Sequence, residues 1–110
     1  MIFANNRLIK AIQLARSTGA KLVWYFAPPL DRSFAESAAA RSPTNNAWFQ
    51  FAQTHGIPAY FLAEALVDED HLSLRLDPCC HFNAAGHRAL VPVMARIVLE
   101  QLGGIPAQDG

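Results

Sequence analysis

The sequence predicts an α/β domain, a three-layer piece in which a short parallel sheet is flanked by helices in the order α-β-α-β-α. Three observations carry this. Two short apolar runs, Lys21-Leu-Val-Trp-Tyr-Phe-Ala27 and Ile57 to Ala63, are aromatic or β-branched and do not alternate, the pattern of strands covered on both faces. Around them, three longer segments repeat apolar residues at helical spacing. Glycines stand where the helical patterns stop, at Gly19, Gly56 and Gly103-Gly104.

Residues 3–18 read as the first helix, with Leu8, Ala11, Ile12 and Ala15 on one stripe and Gly19 closing it. The first strand follows and ends at Pro28-Pro29, which cannot donate to a ladder. Residues 28–42 are expected to form a loop with room for a short helical turn. Ser42-Pro43 then places a cap before a proline at the first helical position. The second helix carries Trp48, Phe51, Ala52 and His55 on one face and stops at Gly56. After the second strand, residues 64–82 are polar and irregular, with a helical turn expected near Ala63–Val67. The last helix follows Asn83, with Leu90, Val93, Met94, Ile97 and Gln101 along one stripe. Pro92 inside it predicts a kink or a restart.

The expected organisation is a single domain over residues 1–104 and a loose tail over 105–110. Two strands are few for a stable sheet. At least one edge is therefore expected to be exposed, paired with another chain, or completed by residues outside this sequence.

Composition narrows the function. Of the 110 residues, 52% are hydrophobic and only 16% charged, so some apolar surface is expected to meet a partner or a further segment. A net charge of zero offers no electrostatic footprint for nucleic acid or an anionic membrane, and neither is expected as a partner. No window has the length of a membrane-spanning helix, and Asn5, Asn6, Arg7 and Lys10 interrupt any signal-peptide core. Cys79 and Cys80 are neighbours, a spacing that does not read as a structural disulfide. With His81 alone nearby they fall short of a metal-ligand set, so no cofactor or metal is expected.

Chemistry concentrates in Asp77-Pro-Cys-Cys-His81-Phe-Asn83-Ala-Ala-Gly86. An acid stands four residues before a histidine at the mouth of a helix. A general base in acyl transfer needs an imidazole and a partner that sets its tautomer and stabilises the imidazolium. Asp77 is suited to serve His81 in this way, and Asn83 to cap the helix behind them. Both long loops leave the carboxyl ends of the strands, where ligands gather in open α/β sheets.

This segment resembles the C-terminal block of GDSL-type (SGNH) esterases and lipases: Asp77, His81, Asn83, Gly86 and the closing helix 84–102. The upstream order, with "GAKLVWYFAPP", a long loop, a helix and "HGIPAYFLA", is similar to the second half of that flavodoxin-like fold. The resemblance implies ester hydrolysis, of an O-acetylated carbohydrate or another small ester, with His81 as general base and Asp77 as its orienting acid. The family's usual spacing is Asp-x-x-His, and one more residue intervenes here. The family's Gly-Asp-Ser nucleophile block and the Gly and Gly-x-Asn-Asp blocks of its oxyanion hole have no counterpart in this sequence. The nucleophile is therefore expected from a missing N-terminal half or from another copy in a homo-oligomer.

The remaining candidates rank below this pair. Ser33 and Ser37 lie in the loop on the strand-end side, but none of Ser17, Ser33, Ser37, Ser42 and Ser73 sits on a strand-to-helix elbow. Cys79 or Cys80 is a conceivable thiol nucleophile beside His81. Asp31 and Arg32 are candidates to touch substrate, and Glu64 to line the cleft. His71 with Asp68 and Asp70 reads as a solvated charged loop, His55 as a helix-end residue, and His87 as solvent-facing. Asn5 and Asn6 read as helix caps, and Trp24 and Tyr25 as core. The alternatives to a hydrolase are a non-catalytic α/β module that oligomerises through its open sheet edge, or an acyltransferase of the same architecture.

Overall fold

Each apolar run contributes a strand shorter than itself, because proline and an immediate helical turn cut it off. In the computed structural model, which describes residues 6–103, α1 spans Asn6–Ser17 and β1 only Trp24–Phe26. α2 covers Phe34–Ala39, α3 Pro43–Thr54 and β2 Ala59–Phe61. β2 passes directly into α4, Leu62–Ala65, followed by α5, His71–Leu74, and α6, Ala84–Gln101. The result is a mixed α/β fold with a two-stranded parallel sheet flanked by helices. The Trp24 N–H donates to the carbonyl of Pro58 at 2.9 Å, which sets the register where the strands meet. Residues 3–5 of the first expected helix, Asn5 among them, and the expected tail lie outside the described residues.

The chain divides into two compact units. One joins the described residues up to Phe26 with Ser42–Tyr60; the other joins Ala27–Arg41 with the chain from Phe61 onward.

In the first unit Ile12, Ala52 and Ile57 are buried, with Leu8, Leu22, Trp24, Phe51 and Ala59 packed around them. The Trp24 ring stacks on Phe51 at 5.7 Å and meets Trp48 edge-on at 5.8 Å. Such aromatic pairs add about 0.5–1.5 kcal/mol each beyond their buried area. Gly56, at φ 68°, lets α3 close: Ile57 N–H reaches the Ala52 carbonyl at 2.8 Å and Gly56 N–H reaches Gln53 at 3.1 Å. The same closure drops Ile57 and Ala52 into one cluster, so the turn and the core specify each other. Arg16 adds a hydrogen bond to the carbonyl of His55 at 2.6 Å, and the His55 ring lies 4.3 Å from Phe51. Tyr25, expected in the core, is 54% exposed, because its side chain points opposite to those of Trp24 and Phe26 on a strand that is not covered on both faces. An open apolar cleft of about 590 Å³ runs beside β1, lined by Val23, Trp24, Tyr25, Phe26, Leu8 and Trp48 among others.

In the second unit Leu30, Phe34, Leu62 and Leu66 are fully buried. α2 lies against α4, and α5 against α6. The expected loop 28–42 is thus half helix. Ser33 caps α2 in a reciprocal box, its Oγ accepting from Glu36 N–H at 3.1 Å while Glu36 Oε1 accepts from Ser33 N–H at 3.0 Å. α6 keeps its expected stripe, with Leu90, Val93, Met94 and Gln101 half-buried and Ile97 buried. It runs unbroken through Pro92, and no restart occurs there. Pro92 and Arg88, one turn earlier, are both exposed, so the carbonyl that Pro92 cannot serve can turn to water. Among the described residues no helix is long and apolar enough to cross a membrane.

Candidate active site

The Asp77–His81 segment is the tip of a short hairpin. Arg75 and Phe82 form an antiparallel bridge, Leu76 N–H donates to the His81 carbonyl at 2.7 Å, and Asn83 N–H donates to the Leu74 carbonyl at 2.9 Å. Four residues, Asp77-Pro-Cys-Cys80, remain to turn the chain. The Asp77 side chain organises that turn. Its Oδ1 accepts the backbone N–H groups of Cys79 at 3.1 Å, Cys80 at 2.7 Å and His81 at 3.2 Å. Its Oδ2 lies 2.5 Å from Nδ1 of His81. The Asp-x-x-x-His spacing closes on itself here, because one carboxylate oxygen spans three successive N–H groups while the other meets the imidazole.

These donors favour the ionised form of Asp77. The Cys80 N–H first, then the His81 side chain, hold its carboxyl well below the usual carboxylate range, against a smaller opposing effect of desolvation. An ionised carboxylate only accepts, so the facing Nδ1 carries a proton. In a neutral ring this leaves Nε2 as the basic nitrogen. The His81 side chain is 70% exposed, and Nε2 has no hydrogen-bond partner among the described residues. The arrangement can accept a proton at Nε2 and stabilise the resulting imidazolium through Asp77.

Two further anchors hold the tip. Leu30 N–H donates to the Cys79 carbonyl at 3.0 Å, and Arg75 Nη1 donates to the Leu30 carbonyl at 3.0 Å. Leu30 is wholly buried, so the hairpin is fastened to a fixed point of its unit. Behind it, Asn83 Oδ1 caps α6 at Gly86 N–H, 2.9 Å away, while Nδ2 donates to the carbonyls of Ser73 and Arg75 at 3.0 and 3.2 Å. Gly86 permits this approach. A Cβ there would sit 2.4 Å from the Leu74 carbonyl oxygen and 2.5 Å from Phe82 Cδ1. The Asn83-x-x-Gly86 spacing is therefore a buttress for the His81 loop as well as a cap. Sequence reading found the cap; Leu30 and Arg75 carry no motif that would have singled them out.

Cys79 and Cys80 correct a sequence expectation: they form a disulfide between neighbours. As a disulfide neither sulfur is a thiolate, so neither serves here as nucleophile for His81. The Asp77, Cys79 and Cys80 donor atoms lie within 4.8 Å of one another, yet the paired sulfurs are not thiolate ligands.

The hydroxyls are mostly committed elsewhere. Ser17 donates to Leu14, Ser33 and Ser42 cap helices, and Ser73 donates to the Asp70 carbonyl. Ser37 lies within α2, its hydroxyl buried and unpartnered among the described residues. Asp31 and Arg32 pair with each other at 3.0 Å, about half exposed. Glu64 pairs with Arg41 at 2.6 Å, and the Arg41 guanidinium lies 3.6 Å from the Phe61 ring centre. His71 opens α5 after the Asp70 cap, half-buried with its ring edge-on to Phe34 at 6.2 Å, so it departs from the expected solvated loop, while Asp68 and Asp70 are exposed as expected. His87 is exposed, its ring 6.3 Å from Phe82.

Comparison with protein-family models, with curated proteins and with solved structures finds no match.

Proposed function

We propose that this chain carries the acid–base half of a serine-type ester hydrolase of SGNH architecture, acting on a small ester or an O-acylated carbohydrate. His81 is the general base and Asp77 its orienting acid. The observation that supports this best is the Nδ1–Oδ2 approach of 2.5 Å combined with an exposed Nε2 that has no hydrogen-bond partner among the described residues. A satisfied surface histidine needs no carboxylate fixed by three backbone donors, whereas a general base gains a defined tautomer from one. The nucleophile and oxyanion donors come from outside the described residues, from a preceding half of the fold or a second copy.

The reading is tested by supplying the missing nucleophile. p-Nitrophenyl acetate is offered to the chain with trifluoroethanol as an added oxygen nucleophile. Release of p-nitrophenol should accelerate over buffer, lose that gain in His81→Ala and keep it in Ser33→Ala. Equal rates for native chain and His81→Ala would sink the proposal.

A second reading is favoured by a different observation. The cleft beside β1 and the exposure of Tyr25 suit a module that pairs with another copy through its sheet edge. Sedimentation would separate the two: a dimer dispersed by Tyr25→Lys, with no His81-dependent rate, supports the module.

A further inference from the structure

The Cys79–Cys80 disulfide is unsuited to stapling the fold. Cross-link stabilisation grows with the length of chain enclosed, and neighbours enclose none. What it constrains is local: the ring it closes includes the 79–80 peptide unit, so the backbone torsions on either side of that peptide are held. The groups on this short stretch are those that build the dyad. The N–H of Cys79 and the N–H of Cys80 both donate to Asp77 Oδ1, the second at 2.7 Å, the shortest of the three backbone bonds to that oxygen. The Cys79 carbonyl accepts the anchor from Leu30. Both cysteines are exposed, and their sulfurs lie within 4.8 Å of the Asp77 carboxylate, which itself touches His81.

We propose that Cys79–Cys80 is a thiol-exchange site for small-molecule thiols, and that its opening releases the turn holding Asp77 against His81. The chemistry is ordinary exchange. A thiolate attacks one exposed sulfur, the S–S bond breaks, and a mixed disulfide forms with the other cysteine leaving as thiolate and taking up a proton. A second thiol attacks the mixed disulfide, releasing the oxidised small-molecule disulfide and the second cysteine thiol. The protein gains two electrons and two protons, and two thiols are oxidised to one disulfide. With the ring open, the 79–80 torsions are free, and the two N–H groups no longer hold one carboxylate oxygen in place. Asp77 and His81 then lose their fixed pairing. The inference is independent of ester hydrolysis, because its readouts are structural.

The test uses the chain with ¹⁵N-labelled histidine and backbone, before and after millimolar glutathione. Mass spectrometry should show the gain of two hydrogens while circular dichroism keeps the folded signature. The His81 ring nitrogens should move from a single Nδ1–H tautomer toward a mixture, and the amide of residue 80 should exchange at least about tenfold faster. The Cys79→Ser/Cys80→Ser double variant should match the reduced spectrum, and the reduced native chain supplies the same open state if that variant does not fold. A disulfide that survives glutathione in the folded chain overturns the proposal. So does reduction that leaves His81 and the residue 80 amide unchanged, or reduction that unfolds the whole chain, which would make the bond a structural staple.

Discussion

Asp77 Oδ2 lies 2.5 Å from His81 Nδ1, while Oδ1 of the same carboxylate accepts three successive backbone N–H groups, the last from His81 itself. The acid therefore holds both the ring and the backbone of its histidine. Side-chain position and loop conformation depend on one ionised group.

Asp77→Asn tests that dependence. The amide oxygen can keep the backbone donors, but the nitrogen then faces Nδ1 as a donor and forces the ring proton to Nε2. The basic nitrogen is turned away from any substrate. The His81-dependent rate should fall by about 10²-fold or more, by analogy with carboxylate-to-amide changes in triads. Nitrogen NMR of the ring should show the tautomer reversed. An unchanged tautomer would remove Asp77 from the role assigned to it.

Acid stability should report the same group. Its folded-state pKa lies below the unfolded value of about 3.9. Its ionised form is thus favoured by folding, with the contribution fully present above the unfolded pKa and lost as pH falls through the folded one. Urea unfolding of the native chain and Asp77→Asn from pH 7 to pH 2 should show a gap that narrows as pH falls below about 4. A constant gap across the whole range would contradict the assigned shift.

Gly86→Ala should destabilise the fold by about 1–3 kcal/mol, because the new Cβ meets a backbone carbonyl that cannot give way cheaply. Asn83→Ala should cost about 1–2 kcal/mol through the lost cap and two lost carbonyl contacts. Both should loosen the Asp77–His81 tip, visible as faster amide exchange at residues 79–81 in urea-free buffer. Destabilisation without that loosening would separate the buttress from the loop.

Arg41→Lys offers a contrast at the surface. The ion pair with Glu64 can survive in part, while the planar contact over Phe61 is lost. The expected change is about 0.5–1 kcal/mol by thermal or urea unfolding, with no effect on the His81-dependent rate.

Much of the fold was legible in the sequence for physical reasons. Helical periodicity placed α1, α3 and α6, and Ser42-Pro43, Asn83, Gly19 and Gly56 marked ends whose hydrogen bonds are local. The strand cores were legible from their apolar runs, but not their lengths, since pairing and the helical turn after Phe61 decide where a ladder stops. Tyr25 misled because its exposure depends on what covers the strand, which no local pattern records. α2 was half-legible: Ser33 and Glu36 form its capping box, but six residues give too little periodicity to read.

The candidate pair followed the same division. Residue type and spacing identified Asp77 and His81, because an acid and an imidazole a few residues apart before a capped helix can meet across a short turn. Only the tertiary structure decided how they meet. Leu30 and Arg75, far apart in sequence, fasten the hairpin, and the neighbouring cysteines are joined although their spacing argued against it. Sequence determines what is decided within a turn or a helix, where the partners are a few residues away. Anchors such as Leu30, whose partners are contributed by a distant segment, become visible only once the chain has folded.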